Sequence, residues 1–299
     1  MSALPRILIV GATGQVGREL QRSFAVGGEV IACDRHQADL VDPEQLRNLV
    51  RTVAPDVILN AAAYTAVDRA ESERDAAMAI NAYAPRVLAE EARNRDALFV
   101  HYSTDYVFDG SREVPWSETD QPNPLNVYGA SKLAGEQAIA AVGGKYLIFR
   151  TSWVYGPHGK NFLLTMLRLG RERDRLTIVN DQVGAPTTSI AIADATRTIV
   201  DGIVSGSLGN IEDWAGLYHM TCFGSTTWAG FARAIFEQAG SLTGGRVPEV
   251  IPIESKDYPT PATRPRNSVL SNEKLAARFG VRLPAWAVGL DSVLAQLRG

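Results

Sequence analysis

The sequence has almost no cysteine. Cys33 and Cys222 stand alone among 299 residues, far apart and outside any CxxC pair. That excludes a disulfide scaffold and a cysteine-based zinc site, and no metal is expected. Long apolar runs are missing too. None approaches the roughly 18 residues that span a bilayer, so no membrane partner is expected. Nor does charge of one sign dominate: Lys and Arg number 30 against 33 Asp and Glu, a formal net charge of −3. No bulk field draws nucleic acid or an anionic surface, and an anionic ligand has to be held by local groups. There is no repeat period and no low-complexity tract. The stretch Met1–Arg6 is too short and polar to read as a signal peptide, and a cytoplasmic location is the expectation.

What is present suits a globular chain. Hydrophobic residues make up 45%, enough for a sizeable core, and the length suits one large domain or two smaller ones. Short β-branched apolar runs occur at Ile7–Val10, Val30–Cys33, Val57–Leu59, Leu98–Tyr102 and Tyr146–Arg150. They read as buried parallel strands. Between them, Gln15–Ala25, Pro43–Val53, Arg74–Arg93 and Tyr128–Ala141 carry helical patterning. The alternation predicts an α/β fold with a Rossmann-type doubly wound parallel sheet. In the second half, Leu176–Asn180 and Leu217–Met220 read as strands. There Ser189–Val204, Thr227–Gln238 and about Ala285–Leu297 read as helices. The Pro- and Arg-rich stretch Tyr258–Ser268 reads as a loop. The expected division is a dinucleotide-binding domain over residues 1–150 and a smaller α/β substrate lobe over 151–299, with the chain free to return to the first.

Directly after the first strand stands Gly11-Ala12-Thr13-Gly14-Gln15-Val16-Gly17. Gly11 suits the sharp turn, Gly14 the approach of a pyrophosphate to backbone N–H groups, and Gly17 close packing of helix on sheet. Asp34 lies 17 residues after Gly17, near the offset of a ribose-binding acid. Arg35 beside it suits a 2′-phosphate. The pair points to a site that accepts NADH or NADPH. Asp39-Leu40 lies in the next turn, where an adenine ring is met or where the loop is merely solvated. Asn60-Ala61-Ala62-Ala63 has small side chains that leave room for a cofactor.

Two segments carry chemistry. Tyr128 and Lys132 are four residues apart at the start of a helix, on one face. An adjacent ammonium lowers the pKa of a phenol and brings it toward acid–base work. Taken alone, Tyr-x-x-x-Lys is better read as an amphipathic helix with a snorkelling lysine. The second segment, His101–Phe108, ends the fourth strand, on the sheet edge where ligands sit. Alternation aims Ser103 and Thr104 at opposite faces, and Thr104 is chosen as the hydroxyl that meets a substrate carbonyl. Arg264, in the Pro-rich loop, is the candidate cation for a nucleotide diphosphate; Arg266 is the weaker one.

Together, Gly11–Gly17, Ser103-Thr104-Asp105 and Tyr128–Lys132 resemble the pattern of extended short-chain dehydrogenases/reductases. Within them, Asn60–Asp68, His101–Phe108, Pro124–Gly129, Phe149–Tyr155 and Asn180–Thr187 resemble the dTDP-4-dehydrorhamnose reductase family over nearly the whole chain. The resemblance implies NADPH- or NADH-dependent reduction of C4 of dTDP-4-dehydro-L-rhamnose, the last step of dTDP-L-rhamnose synthesis. Tyr128 is then the proton donor. Lys132 tunes it and binds the nicotinamide ribose, and Thr104 orients the carbonyl. It further implies cofactor contacts at Gly14, Gln15, Val16, Asp34, Asp39, Leu40, Ala63, Tyr64, Thr65, Tyr102, Tyr128 and Lys132. Substrate contacts are implied at Thr104, Asp105 and Trp153. An aromatic face such as Trp153 suits the apolar side of a deoxysugar.

Two departures stand out. Tyr64 replaces a histidine found in some relatives. The helix start Thr188–Ala191 offers no acid for the magnesium some members hold, and Glu19 alone is a weak site, so Mg2+ is not carried over. A monomer or a homodimer is expected. Three rival readings remain: a dehydratase or epimerase of the same superfamily with tightly held NAD, of which a 4,6-dehydratase needs a second acid where Tyr106 stands; a non-catalytic nucleotide-binding subunit; and a reductase of another dTDP-4-keto-6-deoxysugar.

Overall fold

The computed structural model describes residues 4–299. The first half alternates strand and helix: β1 (Arg6–Val10), α1 (Gln15–Phe24), β2 (Glu29–Cys33), α2 (Pro43–Val53) and β3 (Val57–Asn60). Asp42 caps α2, its carboxylate accepting from the backbone N–H of Glu44 and Gln45 ahead of Pro43 in the first turn, the arrangement that a cap before proline favours. Next come α3 (Val67–Ala70), α4 (Arg74–Met78), a π-helical turn at Ala79–Tyr83 and α5 (Ala84–Asn94). The sequence predicts one helix over Arg74–Arg93. The extra residue of the π turn instead pushes the Asn81 carbonyl against α6 (Val127–Val142), where a Cβ on Gly135 would lie 2.1 Å from it. β4 (Leu98–Thr104) precedes α6, and β5 (Tyr146–Thr151) follows it.

The second half contributes β6 (Val154–Tyr155), α7 (Phe162–Glu172), β7 (Arg175–Val179), β8 (Val183–Gly184), β9 (Thr187–Thr188), α8 (Ser189–Val204) and α9 (Ile211–Trp214). After these run β10 (Gly216–His219), β11 (Thr226–Thr227), α10 (Trp228–Ala239), β12 (Glu249–Ile253), α11 (Glu273–Phe279) and α12 (Trp286–Arg298). The sequence reading does not anticipate α7, β12 or α11.

Six strands form one parallel sheet in the order β10-β5-β4-β3-β1-β2. β10 lies beside β5, so the chain crosses back to the main sheet after residue 151. β3 and β4 are buried throughout, as helices on both faces require. One core layer packs Leu20 and Phe24 of α1 and Ile192 and Ile199 of α8 against the sheet. The other packs Leu46 and Val50 of α2, Val87 and Leu88 of α5 and Ile139 of α6. A third core joins α7, α10 and α12 through Leu163, Phe231, Phe236 and Leu290. No described helix is long and apolar enough to cross a membrane.

Candidate active site

The carboxyl ends of β1 and β3 meet beside the start of α1. Gly11 sits at φ +89°, where a Cβ would meet the Ala62 backbone nitrogen at 2.7 Å. A Cβ on Gly17 would lie 2.1 Å from the Gly11 carbonyl oxygen. Both glycines are thus demanded by close packing. Gly14 differs: only the Gly11 oxygen, at 3.3 Å, comes near its missing side chain. No side chain caps α1, so its first-turn N–H groups stay open beside Gly14, as an anion site needs. The Gln15 side chain turns to the loop after β6, accepting from Asn161 Nδ2 at 2.8 Å.

Asp34 follows β2 and accepts from the N–H groups of His36 and Gln37. Arg35 is exposed and has no ion-pair partner among the described residues. Asp39 accepts from the Val41 N–H, and Leu40 is buried. Ala63-Tyr64-Thr65 passes the opposite side. Its backbone is fixed by Asn81 of the π turn, which accepts from the Tyr64 N–H and donates to the Tyr64 carbonyl. The Tyr64 hydroxyl donates to Glu73 at 2.6 Å. Its ring is therefore engaged, and its main chain is what it offers a ligand.

Helix α6 faces β4 with Tyr128, Lys132 and Glu136, spaced four apart. Asn126 caps the helix, accepting from the Gly129 N–H. Gly129 presses on the Asp105–Val107 turn, where a Cβ would lie 2.1 Å from the Tyr106 oxygen. That approach brings Tyr128 over the end of β4, its ring edge-on to Tyr106 at 5.7 Å. Burial raises the Tyr128 phenol to about 12, and the Thr104 hydroxyl pulls it back toward the phenolate. Thr104 also donates to Asp105 and accepts from the Tyr106 N–H. Ser103 faces the other way and donates to Glu136, which is paired bidentately with Arg150. Burial lifts Asp105 to about 7, and its Oδ2 has no hydrogen-bond partner among the described residues.

Three of the candidate residues are held by other groups of the protein. Lys132 makes no hydrogen bond to the Tyr128 phenol. Its amine turns inward, donating to the Tyr102 carbonyl at 2.6 Å and lying 3.2 Å from His101 Nε2. The Tyr102 ring faces the core, its hydroxyl 3.0 Å from that of Thr196, so only the main chain of Tyr102 is near the site. Arg264 is not a free cation: both of its Nη atoms donate to Asp68 at 2.8 Å, and Nη1 also donates to the Ala262 carbonyl.

Trp153 sits at φ +47°, left-handed backbone that a bulky residue rarely adopts. It stacks on Trp228 of α10 with ring centroids 3.5 Å apart and planes 6° from parallel. Gly184 makes room for it, since a Cβ there would lie 2.4 Å from the indole. The Trp228 indole N–H donates to Gln182. Sequence reasoning missed Trp228 and Asp68, because each is paired with a residue far along the chain. Among the described residues no group of three or more His, Cys, Asp or Glu is placed to hold a metal ion.

The family described as "RmlD substrate binding domain" matches residues 5–298. A dTDP-4-dehydrorhamnose reductase of Burkholderia thailandensis is 51% identical, covering 95% of this chain and 97% of its own. One from Escherichia coli K12 is 46% identical, with 97% of each covered. Among solved structures, a dTDP-4-dehydrorhamnose reductase of Bacillus anthracis in complex with NADP superposes with a TM-score of 0.89 at 35% identity, covering 98% of this chain and 100% of that one.

Proposed function

The chain belongs to the RmlD substrate-binding family, and on that premise we propose that it is an NADPH- or NADH-dependent reductase. It reduces the C4 keto group of dTDP-4-dehydro-L-rhamnose to give dTDP-L-rhamnose. The observation that carries the reading is the meeting of Thr104 and Tyr128 at the end of β4, with Lys132 one turn behind. End-to-end similarity to reductases of that name supports the substrate. The two free, buried cysteines suit a cytoplasmic home.

The residues present fit a dinucleotide. Gly11, Gly14, Gln15, Val16 and Gly17 would hold the pyrophosphate at the uncapped end of α1. Asp34 and Arg35 would meet the adenosine ribose, and Asp39 and Leu40 the adenine. The main chain of Ala63, Tyr64, Thr65 and Tyr102, with Tyr128 and Lys132, would line the nicotinamide half. When bound, the cofactor supplies the hydride that C4 receives.

Tyr128 gives its phenolic proton to the C4 oxygen as charge develops there. At about 12 it stays protonated through the physiological range. An alkoxide is a stronger base than a phenolate, so the transfer runs downhill. Thr104 orients the carbonyl and steadies the phenolate left behind. Lys132 adds its charge once its amine turns from the Tyr102 carbonyl toward the phenol and the ribose. Asp105 Oδ2 accepts from a sugar hydroxyl, and Trp153 packs on the apolar side of the deoxysugar. Arg264 reaches the diphosphate with the two N–H groups that Asp68 and Ala262 leave free. Elimination of water is disfavoured, because Tyr106 stands where a second acid is needed.

The test is the nicotinamide absorbance of the purified protein with dTDP-4-dehydro-L-rhamnose and with other dTDP-4-keto-6-deoxysugars. A fall that is fastest with the rhamnose precursor is expected. No fall with any of them, cofactor binding being intact, overturns the assignment in favour of a non-catalytic subunit.

A further inference from the structure

Behind the Tyr128–Lys132 face lie two buried polar residues, Asn60 and His101, to which the proposed reaction gives no role. Asn60 ends β3, and His101 stands beside it in register on β4; neither has any exposed surface. Asn60 Nδ2 lies 3.1 Å from His101 Nδ1. His101 Nε2 lies 3.2 Å from Lys132 Nζ, which also donates to the Tyr102 carbonyl.

The protons on these groups can be counted. A neutral imidazole has one N–H and one lone pair. The Ala62 N–H donates to Asn60 Oδ1 at 3.3 Å, and that bond assigns the amide orientation. Asn60 therefore turns Nδ2, a donor, toward His101. Nδ1 has to be the acceptor, and the ring proton sits on Nε2, pointing at Lys132. An ammonium has three donors and no lone pair, so it cannot receive that N–H, whereas an uncharged amine can.

The surroundings act in the same direction, lowering the proton affinity of the amine. Burial holds His101 far below its usual range, so the ring is neutral. Burial also lowers Lys132 to about 8, opposed by Glu136. The groups facing the amine are His101 from β4, Tyr128 one turn earlier on α6, and Glu136 one turn later. The Glu136 charge is already shared with Arg150 and Ser103.

We infer that Asn60 and His101 are a positioning pair, in which Asn60 selects the Nε2–H tautomer of His101 and that N–H holds Lys132 as an uncharged amine in the ligand-free protein. Lys132 then takes its proton from solvent only as its amine leaves His101 for the occupied site. The charge that assists Tyr128 is thereby withheld until a ligand is present. This consequence rests on the proposed reductase reading; the tautomer and the lysine state do not.

The sequence suits a direct test, with four histidines and five lysines. Two-bond 15N correlation spectra of the ligand-free protein, with His101 assigned through His101→Gln, should show the ring proton on Nε2. His219 is the internal contrast. Its Nδ1 faces the Trp116 carbonyl at 3.1 Å, so it should show the opposite tautomer. In Asn60→Asp a carboxylate accepts from Nδ1 and reverses His101. The Lys132 amine, followed by 13Cε and 15Nζ shifts and assigned through Lys132→Met, should then titrate at least about one pH unit higher, a tenfold gain in proton affinity. An Nδ1–H tautomer of His101 in the parent protein overturns the proposal. So does a Lys132 titration that Asn60→Asp leaves unmoved. Should Asn60→Asp not fold, the parent tautomer decides alone. These spectra need neither cofactor nor sugar, so failure of the reductase assay and failure of this proposal are separate results.

Discussion

The proposed cofactor half of the site and the proposed sugar half are built from different material. The cofactor half is mainly backbone: the turn at Gly11, the open end of α1, and the main chain of Ala63–Thr65 held by Asn81. The proposed sugar half is mainly side chains, two of them propped by a distant partner. Trp153 lies on Trp228, and Arg264 on Asp68, 196 residues away. A backbone site is broken by adding atoms, and a side-chain site by removing them.

The largest effect should come from adding an atom to the first half. The Cβ of Gly17→Ala would meet the Gly11 oxygen at 2.1 Å, so α1 has to shift. Overpacking of this kind costs about 1–3 kcal/mol. A lowered melting temperature and weaker cofactor binding are expected in calorimetry. Parent-like values would mean that this approach does not position α1. Next is removal from the second half. Trp228→Ala deletes a stack worth about 0.5–1.5 kcal/mol. The KM for the sugar nucleotide should rise roughly two- to tenfold, with kcat and the cofactor KM nearly unchanged. An unaltered sugar KM would detach Trp153 from the sugar. The smallest effect should be that of trimming a side chain in the backbone half. Asp34→Ala removes a carboxylate that repels a 2′-phosphate, and the NADPH/NADH ratio of kcat/KM should rise several-fold. An unchanged ratio would remove Asp34 from the ribose site.

The same division explains what the sequence made legible. Gly11, Gly14 and Gly17 are a local pattern, because a tight turn and close packing act over a few residues. Tyr128 and Lys132 were found by helical spacing, and the sheet by alternating runs. The π turn at Ala79–Tyr83 left no mark in the helical pattern, yet it holds Tyr64. The Trp153–Trp228 stack and the Arg264–Asp68 pair depend on tertiary contact, so the family resemblance suggests Trp153, and residue type Arg264, but not their partners. The inward turn of Lys132 was also out of reach. It depends on the register that sets Asn60 beside His101, which local spacing does not reveal.

The measurement that tests the account most directly is single-turnover reduction by Tyr128→Phe, with cofactor affinity measured in parallel. Loss of the phenolic proton donor should slow hydride transfer to the C4 keto group by about 10²–10⁴-fold while the cofactor binds nearly as tightly as before. Near-parent turnover in that variant would contradict the assignment of Tyr128 as the acid.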